Sequence, residues 1–174
     1  MADQKKIKKA FKRCERALKF FPFLGKRNGM VTVHSGEGLS CEVSDGNRDF
    51  YVDMPSQVGG DDSAPTPALY EAGALGSCVS ITARMWAARL GVPIDSIRVE
   101  VEFDIDTRSM FDISDVSPYF QNLDYHITVS SSAPEEDVMR VLNLAHNHSH
   151  VRSDFENALH INRTVSIKEP KASG

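Results

Sequence analysis

Apolar and polar residues alternate in three short runs after residue 30, "MVTV", "GLSCEV" and "RDFYVDM". A period of two puts alternate side chains on one face of a strand, and "SGEG" and "SDGN" between the runs are turn signals. In the second run Cys41 shares the apolar face with Leu39 and Val43, so it reads as a core residue. The pattern then changes. Between Pro67 and Leu90 the only charges are Glu71, Arg84 and Arg89. Thr66 stands as an N-cap before Pro67, and Gly91 and Pro93 stop the run. This predicts one helix of about 36 Å, apolar nearly all round and therefore buried on every side.

"IRVEVEFDID" restores the alternation, with Ile97, Val99, Val101, Phe103 and Ile105 on one face, and "LDYHITV" repeats it. Residues 107–120 between them have no period, yet they carry Met110, Phe111, Tyr119 and Phe120. A partner subunit or a ligand must cover that much apolar surface. Ser132 with Glu135, and Ser153 with Glu156, form two capping boxes that open two helices. The stripe Val138, Val141, Leu142 and Ala145 on the first, continued one turn, reaches Ser149. "RTVSI" reads as a last strand before a polar tail. The order is three strands, a long helix, two strands, two helices and a strand: an α+β fold with a largely antiparallel sheet. A one-faced sheet covers one side of such a helix, so a second copy of the chain is the simplest cover for the other.

Charge adds an N-terminal feature. Residues 1–27 carry ten Lys/Arg against two acids, a net +8, which leaves −12 on the rest of a chain whose total is −4. Within them "KKIKKAFKRCERALKFF" places Ile7, Ala10, Phe11, Cys14, Leu18 and Phe21 at helical spacing. Such a segment can bind nucleic acid or a membrane surface, or act as a transit peptide. Charge complementarity favours a basic arm docked on an acidic body, its own or a partner's. Neither a membrane nor a nucleic acid is therefore expected as a partner. The division is an arm at 1–27, a domain at 28–169 and a tail at 170–174.

The longest uncharged run near the helix is twelve residues, between Glu71 and Arg84, against roughly 20 for a membrane span. Cys14, Cys41 and Cys78 are odd in number and far apart, with no CxxC pair and no secretory signal. A reducing cytoplasm follows. A chain of 174 residues buries a core without disulfides or metals.

"GGDDSAPTPALYEAGALGSC", with Pro67 eleven residues before Cys78, and "SAPEEDVMRVLNLAHNHSHV" resemble the OsmC/Ohr family, whose better-known members are thiol-dependent organic hydroperoxide reductases. The resemblance covers residues 30–169. It implies the OsmC-like fold: mostly antiparallel sheets wrapped around long central helices in an intertwined homodimer. Cys78 takes the position of the peroxide-attacking thiolate, and neither a cofactor nor a metal is called for. Against the family pattern, Ser149 stands for the second, resolving cysteine and His150 for the proline after it. Ala68 stands for the glutamate that follows the helix-opening proline. Glu37, in "SGEG", stands for the arginine of the first hairpin, a role that Arg27 or Arg48 can also reach.

Cys78 then needs help to ionise. Burial raises a thiol's pKa, and the helix dipole fades within a turn of Thr66. The alignment brings Ser149 close to Cys78, so His148 or His150 can accept its proton. The plainer reading leaves these histidines wet at a helix end. A third has His146 and His150, four apart, bind a metal with Cys78. With no internal resolver, turnover requires an external thiol.

Three functions compete. One is a one-cysteine thiol peroxidase acting on small organic hydroperoxides or other electrophiles in oxidative-stress defence. A second is a non-catalytic relative holding a small apolar ligand at the dimer interface, with Met110, Phe111, Tyr119, Phe120 and Ser149 around it. The third is a metal- or partner-binding protein using the histidines or the arm.

Overall fold

The structure, a computed structural model, describes residues 4–157 and 159–167. The tail at 170–174 lies outside them. Helix α1 (Gln4–Phe20) leads through a turn at Pro22–Gly25 into strands β1 (Thr32–Ser35), β2 (Cys41–Ser44) and β3 (Asp49–Val52). Helix α2 (Pro67–Leu90) follows, then β4 (Ser96–Asp104), a 3₁₀ turn (Thr107–Phe111), β5 (Asn122–Ser130), α3 (Glu135–Asn147) and α4 (His150–Glu156). The fold is α+β. Its strands form two antiparallel sheets, β1-β2-β3 and β4-β5.

Helix α2 organises the chain. Thr66 Oγ1 accepts the amide of Leu69 at 3.4 Å, and Gly91, left-handed at φ 83°, donates its amide to Ala87 to end the helix. One face of α2 lies on β4 and α3. Gly76 lets the sheet approach: a Cβ there would sit 3.1 Å from Val101 Cγ2. The core gathers Ala83 and Ala87 of α2, Val92, Ile94, and Val141 and Ala145 of α3. The expectation of burial on all sides fails within this chain. Leu69, Ile81 and Met85, spaced by multiples of four along the helix, stay exposed, Ile81 at 60%.

The two sheets differ in the same way. On β4 and β5, Val99 faces Ile127, Val101 faces Tyr125 and Phe103 faces Leu123, and all six are half-buried. On the first sheet only Val43 is buried. Cys41 is half-buried and Leu39 exposed, so the core expected around Cys41 is not closed by this chain.

The basic arm docks on its own chain through apolar and polar contacts. Phe11 meets Trp86 edge-on at 5.3 Å between centroids, and Gln4 Nε2 donates to Val92 O at 2.9 Å. The ion pair across the contact has the arm supply the acid, Glu15 to Arg89 at 3.2 Å. Lys9, Arg13 and Arg16 are exposed.

Three local expectations are corrected. Helix α3 starts after Pro134 without a side-chain cap. Ser132 does not serve, and the neighbouring Ser131 Oγ accepts the amide of Ala133 while donating to Pro93 O. Helix α4 begins at His150, capped by Ser149 rather than Ser153. Residues 163–167 form no strand, because alternation supplies a face but a strand exists only by pairing with another.

Candidate active site

The loop before α2 is built around Asp53, which is 1% exposed. Its carboxylate accepts the amides of Met54, Asp61 and Ser63 and the hydroxyl of Ser63, at 2.7 to 3.3 Å. The Ser63 hydroxyl and amide hold its pKa below the ordinary carboxylate value, with the other amides adding to them. Gly60 closes the loop, since any Cβ there would fall 1.8 Å from Met54 O. This loop delivers Thr66 and Pro67 to the start of α2, and so fixes where Cys78 lies three turns on.

Cys78 is half-buried on α2 where α4 crosses it. Ser149 Oγ donates to its sulfur at 3.2 Å. Burial, the largest single influence, pushes the thiol's pKa up. Hydrogen bonds from the Ser149 hydroxyl, the amides of Val151 and His150, and the Thr82 hydroxyl together outweigh it, and the pKa falls below the ordinary thiol value. Each donor is stronger toward a thiolate than toward a neutral thiol, which is why the set favours ionisation. Ser149 is itself buried at 1% exposure and accepts the Arg152 amide at 3.4 Å.

The imidazoles lie elsewhere. His148 stacks on Trp86 at 5.2 Å between centroids, and His146 Nδ1 lies 2.5 Å from the Tyr125 hydroxyl. The side chain of His150 is exposed, and what this residue brings to the sulfur is its backbone amide. Helix α3 does not run through to His150, so His146 and His150 do not share a helix face. Among the described residues, no three His, Cys, Asp or Glu side chains gather to hold a metal ion. Glu37, Arg27 and Arg48 are exposed.

A cavity of about 610 Å³ opens beside α2 under the 107–120 segment. Met110, Tyr119 and Phe120 line it, together with Ala68 and Glu71 of α2 and Phe155 of α4. Phe120 packs between Phe103 and Phe155, at 4.9 and 6.2 Å. Phe111 is exposed outside the wall, and Ser149 sits at the sulfur instead. At the rim Arg108 clamps Asp106 and holds its carboxyl at about 2.

Sequence reasoning passed over Thr82, Phe155 and Glu71. Thr82 carried a signal, since a residue four past Cys78 shares its helix face. Phe155 carried none, because only the crossing of α4 over α2 brings it to the cavity.

A half-buried cysteine flanked by donors on a long helix whose start lines an apolar cavity, with two small antiparallel sheets, defines a thiol-centred α+β protein. A sequence profile described as OsmC-like protein matches residues 60–163, which include Cys78 and Ser149. The chain belongs to that family. In sequence, no curated protein matches it. Solved structures share the fold. An OsmC-like protein from Mycoplasma pneumoniae is 14% identical at a TM-score of 0.64, covering 75% of this chain and 89% of its own. A putative osmotic stress induced and detoxification response protein from Psychrobacter arcticus is 18% identical at 0.58, covering 73% and 89%. An organic hydroperoxide resistance protein OsmC from Legionella pneumophila is 16% identical at 0.53, covering 73% and 88%. No helix among the described residues is long and apolar enough to cross a membrane.

Proposed function

We propose that this chain is a one-cysteine thiol peroxidase that reduces small organic hydroperoxides as part of oxidative-stress defence in the cytoplasm. The observation that supports it best is the Ser149 hydroxyl donating to the Cys78 sulfur at 3.2 Å, one of the hydrogen bonds that favour the thiolate without any imidazole. The thiolate attacks the terminal oxygen of the hydroperoxide. The O–O bond breaks, the alkoxide takes a proton from water and leaves as the alcohol, and Cys78 becomes a sulfenic acid. Ser149 has no sulfur with which to condense. An external thiol therefore attacks the sulfenic acid, releasing water and leaving a mixed disulfide. A second thiol then releases Cys78 and carries away the external disulfide.

A homodimer fits this reading, because the open first sheet and the Leu69, Ile81 and Met85 stripe each need a cover that one chain lacks. The test is hydroperoxide consumption with a monothiol reductant. Activity that disappears in Cys78→Ser supports the proposal, and a wild-type chain inert with every monothiol and dithiol overturns it.

A second reading, a non-catalytic binder of a small apolar ligand, is favoured by one observation: Cys78 is not part of the cavity wall. Native mass spectrometry of the purified dimer discriminates, since a bare dimer that consumes hydroperoxide leaves that reading without support.

A further inference from the structure

Thiolate chemistry at Cys78 needs Ser149 and the amides after it to stay aimed at the sulfur, and the connection carrying them is short. The chain leaves α3 at Asn147, and only His148 and Ser149 separate it from α4. Helix α4 has seven residues, too few to hold a position by its own hydrogen bonds. A bond to another element must fix it.

Arg152 makes that bond. Its side chain is 16% exposed. Nε donates to the carbonyl of His146, in the last turn of α3, at 2.7 Å. The same guanidinium pairs with Glu156 one turn along α4. His146 is tied in turn to β5 through the Tyr125 hydroxyl. The backbone amide of Arg152 donates to Ser149 Oγ. With an Oγ lone pair engaged there, the hydroxyl proton of Ser149 is left for the sulfur. No hydrogen bond links the guanidinium to Cys78, whose donors are Ser149, Thr82 and two amides.

We infer that Arg152 is a positioning residue for the Cys78 thiolate: its guanidinium clamps α4 to the end of α3 and keeps Ser149 and the His150 and Val151 amides directed at the sulfur. It acts through geometry rather than through its charge. The inference rests on the thiol reading of Cys78 but not on a peroxide being the substrate.

The experiment uses the full chain carrying Cys14→Ser and Cys41→Ser, so that iodoacetamide reports Cys78 alone. Its rate is followed against pH in the parent, Arg152→Gln, Arg152→Lys and Glu156→Gln, with amide hydrogen exchange at residues 149–152 alongside. Tyr125, His146, His148, His150, Asp154 and Glu156 are titratable groups on the elements at this junction, and they are unchanged in both Arg152 variants. Arg152→Gln is expected to slow alkylation at pH 7 about three- to tenfold, the worth of one lost polar clamp, to move the midpoint upward and to speed exchange. Arg152→Lys restores part of the rate, since an ammonium replaces one donor of the fork but not both. Glu156→Gln gives a smaller change in the same direction. A folded Arg152→Gln with the parent's profile and exchange overturns the inference. Should that variant fail to fold, Arg152→Lys decides, and an unmoved profile in it has the same force. A parent that consumes no hydroperoxide while its Arg152 variants still shift the profile removes the peroxidase reading and keeps this one. An active parent with unmoved variants does the reverse.

Discussion

The two sheets are built from the same kind of residue and end in opposite situations. Strands β4 and β5 lay their alternating apolar face on α2, where Gly76 admits Val101. Strands β1 to β3 alternate as well, yet Val33 and Phe50 remain 60% and 44% exposed. Each sheet lies near a cysteine. Cys78, on the helix under the packed sheet, is held below the ordinary thiol pKa by hydrogen bonds from Ser149, Thr82 and two amides, whereas the Cys41 thiol on the open sheet donates to the Leu39 carbonyl, at 3.9 Å. A thiol gains chemistry from crossing elements that bring donors to it, and the middle strand of a sheet that no helix crosses at that point supplies none. The same difference separates a sheet that its own chain covers from one that its own chain leaves open.

The largest expected contrast is between the two cysteines. Cys78→Ser reduces hydroperoxide consumption to the uncatalysed rate and Cys41→Ser leaves it intact, as measured by the loss of hydroperoxide with time. The sheets come next. Phe103→Asp puts a charge against the packed face and costs about 3–5 kcal/mol, seen as a loss of most of the cooperative thermal transition. Phe50→Asp leaves the chain folded and lowers its sedimentation coefficient to that of a monomer; a dimer that persists in this variant would show that the open sheet is not the interface.

Ser149 tests the donors directly. Ser149→Ala removes the hydroxyl and slows alkylation of Cys78 at pH 7 about five- to tenfold. Because the folded pKa lies below that of a free thiol, the wild-type rate should rise at lower pH than in the variant. Ser149→Cys instead places a second sulfur where 3.2 Å now separates oxygen from sulfur. It should yield an internal disulfide on oxidation, visible as a loss of two titratable thiols.

Gly76→Val wedges β4 from α2 and costs about 1–3 kcal/mol in chemical denaturation, while a valine at exposed Gly73 does so only through helix propensity. The smallest effect concerns Asp53. Its folded pKa is depressed, so its contribution to stability is complete above the unfolded carboxylate pKa and disappears as pH falls through the lower folded value. Asp53→Asn should flatten the acid limb of the stability profile and leave its neutral region lower throughout.

Much of the fold was legible. The bounds of α2 follow from Thr66, Pro67 and Gly91, since capping and left-handed stops are local chemistry. The alternation of β4 and β5 also needs nothing distant. The ends of α3 and α4 were misread because a capping box offers a possible start, and the helix begins where a cap and its neighbours agree. The candidate site divides the same way. Cys78 stands out as a candidate through the OsmC-like resemblance, and Met110, Tyr119 and Phe120 as apolar residues in a segment without period. The groups that would activate the sulfur could not.

What the sequence determined by itself is periodicity: which segments coil, which extend, and which side of each is apolar. Such properties depend on neighbours within a turn or a pleat. Only the tertiary structure decided that backbone amides and two hydroxyls bear on the sulfur while His146 and His148 face Tyr125 and Trp86 and the His150 side chain is exposed. An amide has no letter in the sequence, and where it points is set by the crossing of two helices 71 residues apart at Cys78 and Ser149.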